Sequence, residues 1–231
     1  MAATRSAGTA HGALAAAGSE HGGVDIAIVG ATGRVGRRVL ELIDARRASL
    51  QRAGVRLRIV AAANSRRVLV APDGLAAGRV ADLLPEGIAS TDPSALTRSA
   101  PRPDILIDCT ASADITAHYP RWLAAGIDVV TPNKLASSAD RPLAHAVAAA
   151  QAGSGALLYD STTVGAQLPL LATLRDLHRA GDRVDRFEAV LSGTLSYVLG
   201  RLQQGAPLSY AVHEGVQSGY AEPNPARDLS G

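Results

Sequence analysis

The sequence predicts an α/β fold, a doubly wound parallel sheet followed by an incomplete α+β domain. Three observations predict it. From Val24 to about Ala152, short β-branched runs alternate with longer stretches of helical period. A glycine-rich turn joins the first run to the first helical stretch. The composition is 47% apolar but only 3% aromatic, so the core is built from Ala, Val, Leu and Ile, which suits helices packed on a parallel sheet. At 231 residues there is room for one domain and part of a second.

The elements follow in order. Residues 1–23 are rich in Ala, Gly, Ser and Thr without a sustained period and read as a disordered leader. Val24 to Val29 is the first strand, and Arg37 to Ala48 has the spacing of the first helix. Leu57 to Ala63, Ile105 to Cys109 and Ile127 to Val130 read as further strands, each bounded by turn residues. Tyr119 and Trp122 read as packing residues of one helix, and Arg141 to Ala152 as another, Ala-rich helix that closes a first domain over residues 24–152. A second, partial domain covers residues 153–231. It opens with a Thr/Gly-rich turn, then a helix through Leu174 to Arg179 and a strand over Arg186 to Leu191.

Several function classes drop out. Lys plus Arg (23) nearly balances Asp plus Glu (21) and the basic residues are scattered, so the footprint of a nucleic-acid binder is missing. No run approaches the roughly 18 apolar residues of a membrane span. The single cysteine, Cys109, excludes a disulfide framework and fits a cytoplasmic protein. His118, His145, His178 and His213 are isolated on helical stretches without ligand spacing.

Gly30-Ala-Thr32-Gly33-Arg34-Val35-Gly36 lies between a strand and a helix, the context of a Rossmann phosphate loop. Without side chains the backbone approaches the pyrophosphate, whose charge rests on the amides and dipole of the helix N-terminus. The second strand ends in Asn64-Ser65-Arg66-Arg67. That stretch has no carboxylate for an adenosine ribose and two guanidiniums for a 2′-phosphate, so it favours NADP, with NAD as the alternative. Asp108-Cys109-Thr110-Ala111-Ser112 closes one strand and Thr131-Pro132-Asn133-Lys134 the next, at the sheet edge that faces the ligand crevice.

With these segments the sequence resembles the homoserine dehydrogenases, nearest in texture to the forms fused behind an aspartate kinase. The resemblance extends through Val164-Gly165-Ala166 with Leu168-Pro169, Leu191 to Tyr197, Gly219 to Pro223 and Asp228 to Gly231. It implies NAD(P)-dependent interconversion of L-aspartate 4-semialdehyde and L-homoserine, a step of threonine, methionine and isoleucine biosynthesis. It implies that Lys134 is catalytic beside the nicotinamide and that Thr110, Ala111, Ser112 and Asn133 help hold the cofactor. Gly193, Thr194, Tyr220, Glu222 and Asp228 would hold the amino acid. A monovalent cation such as sodium would sit on the carbonyls of Val164, Ala166 and Leu168, and the enzyme would be a homodimer.

Two departures from the family pattern matter. The loop is GATGRVG, with its second glycine one position later than the commoner form. The family's second lysine and its aspartate would follow beyond Gly231, so the expectation for these 231 residues is cofactor binding with little homoserine oxidation. Two alternatives accompany this reading: a nucleotide-binding remnant without turnover, and a semialdehyde dehydrogenase using Cys109 as nucleophile.

Overall fold

The computed structural model describes residues 23–98, 101–136, 141–165 and 168–221. Most of the expected leader, together with Ala166, Glu222 and Asp228, lies outside them. The chain forms two compact units, Met1–Thr163 and Val164–Gly231.

In the first unit, seven strands among the described residues form one sheet in the order β4-β3-β2-β1-β5-β6-β7. They are β1 (Val24–Val29), β2 (Leu57–Ala63), β3 (Arg67–Leu75), β4 (Ile88–Ala89), β5 (Ile105–Asp108), β6 (Asp128–Val130) and β7 (Leu158–Tyr159). β2, β1, β5, β6 and β7 run parallel. The strand order turns over at β1, where the chain, after β2, β3 and β4 on one side, returns to its other side at β5, and such a switch point opens a crevice at the carboxyl ends. Because β7 completes the sheet, the first unit runs to Thr163, past the expected boundary at Ala152 and Gly153.

The sheet edge differs from an all-parallel expectation. β3 pairs antiparallel with β2, and β4 antiparallel with β3. The cause is local. Asn64 Oδ1 accepts the amides of Arg66 (2.8 Å) and Arg67 (2.9 Å), which reverses the chain directly after β2 and leaves no room for a crossover helix.

All six residues of β1 are buried, as a central parallel strand requires. Alternation sends them to two cores. Ala27 and Val29 join Leu106, Val129, Tyr119, Trp122, Leu123 and Val147 on one face, under α5 (Tyr119–Ala124) and α6 (Arg141–Ser154). Val24, Ile26 and Ile28 join Leu40, Ala62, Val80 and Leu84 on the other, under α1 (Arg34–Arg52) and α2 (Val80–Leu83). Two short helices, α3 (Ala95–Arg98) and α4 (Ala113–Thr116), lie before and after β5.

The second unit contains α7 (Leu170–Arg179), α8 (Gly193–Gln203) and α9 (Leu208–Gln217). Ser192 Oγ accepts the Leu195 amide at 3.1 Å and caps α8. The strand expected over Arg186 to Leu191 is not formed. Its residues are strand-like in pattern, but none of the described strands pairs with them, and without a ladder the backbone groups stay with solvent. Phe187 (50%) and Val190 (81%) remain exposed there.

The approach of α1 to β1 is set by Gly36. A Cβ at that position would lie 2.2 Å from the Gly30 carbonyl oxygen and 2.8 Å from Ala31 Cα, both backbone atoms. Gly36→Ala is therefore expected to cost about 1–3 kcal/mol by overpacking. Thermal unfolding checks this, and an unchanged midpoint would contradict the packing described.

Candidate active site

The carboxyl ends of β1, β2, β5 and β6 each deliver one stretch of the expected site. β1 is followed by Gly30, whose φ of 76° and tight surroundings demand glycine: a Cβ would meet Thr110 Cγ2 at 2.9 Å and the Cys109 carbonyl carbon at 3.1 Å. The glycine loop and the Cys109-Thr110 stretch are thus in direct contact. Gly33 N–H donates to Gly30 O at 3.0 Å, and α1 starts immediately after Gly33. That helix start has no side-chain cap and no acidic residue in its first turn. Its leading amides are left to an anion, which the Gly30 cradle admits close to the backbone. Arg37 Nε donates to Thr32 O at 2.9 Å and braces the loop, while Gly33, Arg34 and Val35 are exposed along its rim.

At the end of β2 the two expected arginines separate. Arg67 Nη1 donates to Gly87 O at 2.8 Å and the residue is half-buried, so it braces β3 against the chain before β4. Arg66 is exposed, as is Ser65. The Asn64 carbonyl is committed to the turn, so Asn64 shapes this corner through the backbone.

The ends of β5 and β6 are joined by a buried polar network. Asp108 is fully buried, and its carboxylate accepts Thr110 N–H (2.7 Å), Tyr119 Oη–H (2.6 Å) and Asn133 Nδ2–H (3.2 Å). A phenol has one proton, so the 2.9 Å contact between Tyr119 Oη and Thr131 Oγ1 uses the threonine's proton. Thr131 Oγ1 in turn accepts Asn133 N–H at 2.9 Å. Asn133 Nδ2 also donates to Ser112 O (3.1 Å), and its Oδ1 accepts Leu135 N–H (3.1 Å), which opens the single helical turn Lys134–Ala136. Asn133 is 3% exposed with its side chain spent inside the protein, whereas Lys134 beside it is exposed. Thr110 is half-buried and Ala111 exposed on the crevice side, and Ser112 N–H donates to Thr110 Oγ1 at 3.3 Å.

Asp108 and Tyr119 were not among the sequence-derived site residues, and Tyr119 stood only as a packing residue. The signal lay in burial: a carboxylate at a strand end and a tyrosine in a core stripe both need partners. Burial, then the Asp108 charge, pushes the Tyr119 phenol well above its ordinary value. Cys109 points away from this chemistry. It packs in the core under α1, and burial, reinforced by Asp108, pushes its thiol up to about 12.

In the second unit, Gly193 and Thr194 open α8, and Thr194 Oγ1 donates to Tyr220 O at 2.8 Å. Tyr220 stacks on Tyr197 with ring centroids 4.6 Å apart. An ion pair of 2.6 Å between Arg201 and Glu214 ties α8 to α9. Of the expected cation ligands, Val164 and Leu168 are placed, flanking Gly165, whose φ is 70°. Among the described residues no group of three His, Cys, Asp or Glu could hold a metal ion, and no helix is long and apolar enough to cross a membrane.

A parallel-dominant sheet with a glycine cradle at β1 and ligand-facing loops after β2, β5 and β6 defines a Rossmann-type dinucleotide-binding domain. Residues 32–160 match the model of the homoserine dehydrogenase NAD-binding domain, and residues 169–231 match that of the homoserine dehydrogenase domain. The chain belongs to the homoserine dehydrogenase family. A bifunctional aspartokinase/homoserine dehydrogenase of Haemophilus influenzae is 34% identical over 90% of this chain and 26% of its own length. A homoserine dehydrogenase of Emericella nidulans is 43% identical over 58% of this chain and 38% of its own. The crystal structure of homoserine dehydrogenase from Thermoplasma acidophilum superposes with a TM-score of 0.71 at 28% identity, over 90% of this chain and 64% of that one. The chain thus spans about a quarter of the bifunctional relative and under two thirds of the archaeal one.

The burial of Cys109 gives a direct test against thiol chemistry. In the folded chain at pH 8, iodoacetamide is expected to leave Cys109 unmodified, because a thiol titrating near 12 holds almost no thiolate there. In urea the same thiol should alkylate readily. Rapid alkylation of the folded chain, followed by mass spectrometry, would restore Cys109 as a nucleophile.

Proposed function

We propose that this chain supplies the cofactor site and proton carrier of an NADP-preferring homoserine dehydrogenase, interconverting L-homoserine and L-aspartate 4-semialdehyde. The observation that supports it is that the Gly30 loop, the Asn64 to Arg67 corner, the Thr110 to Ser112 loop and the Asn133-Lys134 turn all follow the carboxyl ends of neighbouring parallel strands, with Gly30 against Thr110 and Asn133 bonded to Ser112. When bound, the nicotinamide supplies or removes a hydride at the carbon bearing the substrate's reacting oxygen. The uncapped amides at the start of α1, with Thr32, Gly33, Arg34 and Val35, would hold the pyrophosphate. Arg66 at the end of β2 would hold the 2′-phosphate of the adenosine half, and the loops after β5 and β6 would hold the nicotinamide half.

Lys134 would then face the reacting oxygen. As an alkoxide develops during reduction, an ammonium stabilises it and delivers the proton; in oxidation the amine takes that proton back. The second unit is assigned the amino acid, through Gly193, Thr194, Tyr220, Glu222 and Asp228, whose carboxylates would pair with the substrate ammonium. A monovalent cation belongs to the same reading, on the carbonyls of Val164, Ala166 and Leu168. The left-handed turn at Gly165 redirects the backbone between the first two, and no step above passes through the ion.

The separation of the arginines sharpens the cofactor test. Arg66→Ala is expected to weaken NADPH binding about tenfold or more, the scale of one lost charge-assisted contact, and to leave NADH unchanged. Arg67→Ala should lower the thermal midpoint instead. Equal affinity of the native chain for NADPH and NADH would overturn the preference.

In a longer protein that carries these residues together with the segment the family places after Gly231, Lys134→Ala is expected to cut homoserine-dependent NADP reduction by about two orders of magnitude or more. A fall of only a few-fold, with the circular dichroism spectrum intact, would return Lys134 to the status of a surface lysine.

A further inference from the structure

We propose that Tyr119 is a positioning residue for the nicotinamide half of the site, holding from beneath the backbone that presents Thr110, Ser112 and Lys134. The inference rests on the dinucleotide reading above. Tyr119 begins α5 and its ring is fully buried, so it touches neither cofactor nor substrate. Its hydroxyl is placed between the last residue of β5 and the first residue after β6. It donates to Asp108 at 2.6 Å and meets Thr131 Oγ1 at 2.9 Å.

What those two partners hold is loop backbone on the crevice side. Asp108 fixes the Thr110 amide, Thr131 fixes the Asn133 amide, and Asn133 fixes the Ser112 carbonyl and the Leu135 amide. Lys134 lies between the anchored Asn133 and Leu135 amides. Strands β5 and β6 are already hydrogen-bonded to each other along their length. The network therefore adds little to the sheet, and its specific effect is to set one loop relative to the other. The raised phenol keeps its proton throughout the working range of pH, so the donation to Asp108 is permanent.

Removing the hydroxyl should leave the ring's packing and loosen only these loops. The phosphate loop at β1 and the Arg66 corner at β2 have their own hydrogen bonds. Affinity for the nicotinamide half should fall while affinity for the adenosine half is kept. A fold-wide defect would weaken both.

The experiment titrates the full chain with NADPH and with 2′,5′-ADP, a fragment that stops at the adenosine. Tyr119→Phe is expected to raise the Kd for NADPH tenfold or more and to change that for 2′,5′-ADP less than twofold. Thr131→Val should reproduce this and Thr131→Ser should restore it, which keeps the test open if Tyr119→Phe fails to fold. Equal weakening of both probes, or unchanged NADPH binding by Tyr119→Phe or Thr131→Val, overturns the positioning role. A native chain that binds neither probe, or only 2′,5′-ADP, overturns the dinucleotide reading itself, and this inference with it.

Discussion

The Asp108 carboxylate sits at the end of β5 with no exposure to solvent, and an ionised carboxylate there costs several kcal/mol unless donors surround it. Its three donors come from three different segments: Thr110 from its own loop, Tyr119 from the start of α5, and Asn133 from the loop after β6. Satisfying one buried charge therefore specifies where α5 begins and how two crevice loops face each other. Apolar packing would tolerate a shift of either loop by a fraction of an ångström. A network in which every member is hydrogen-bonded does not, because a half-satisfied version is worse than none.

The rest of the first unit works by close approach between small residues. With so few aromatic rings, the core around β1 is built from Ala27, Ala61, Ala62, Ala63 and their Val and Ile neighbours. Small side chains let α1 come near enough to β1 that Gly36 is enclosed by Gly30 and Ala31 backbone. The same closeness puts Thr110 against Gly30, so the phosphate loop and the β5 loop are in contact through van der Waals surfaces as well as through the sheet. Trp122 and Tyr119, the two large rings in this core, lie together under the β5 and β6 loops, with centroids 5.9 Å apart.

Much of this was legible in the sequence where local pattern and tertiary packing agree. β1 and β2 are mostly β-branched or alanine and are followed by Gly30 and Asn64, and their limits match the expected ones. The antiparallel edge was not legible, because the strand at Arg67 to Leu75 includes Pro72, Asp73 and Gly74, residues poor in strand propensity. The Asn64 turn that creates it depends on a side-chain-to-backbone geometry that composition does not reveal. The reverse holds at Arg186 to Leu191. That segment alternates like a strand, yet a strand exists only where a second one offers its backbone groups, and pairing is not a local property. Motif spacing picked out Gly30, Thr110, Asn133 and Lys134 as candidates. It could not separate residues whose side chains are exposed, such as Lys134, from residues buried in the network, such as Asn133.

That separation follows one rule at both ends of the crevice. Asn64 after β2 and Asn133 after β6 each turn their carboxamide inward onto backbone amides, two for Asn64 and one for Asn133. An asparagine does this better than most residues because its short side chain reaches its own backbone two residues on. The exposed cation then comes next in the chain, Arg66 two residues after the first asparagine and Lys134 one residue after the second. In both cases a neutral, committed side chain fixes the backbone and a charged neighbour stays exposed on the surface. Substituting the asparagine would move the cation without touching its charge, so at each corner the position of the charge and its presence are set by different residues.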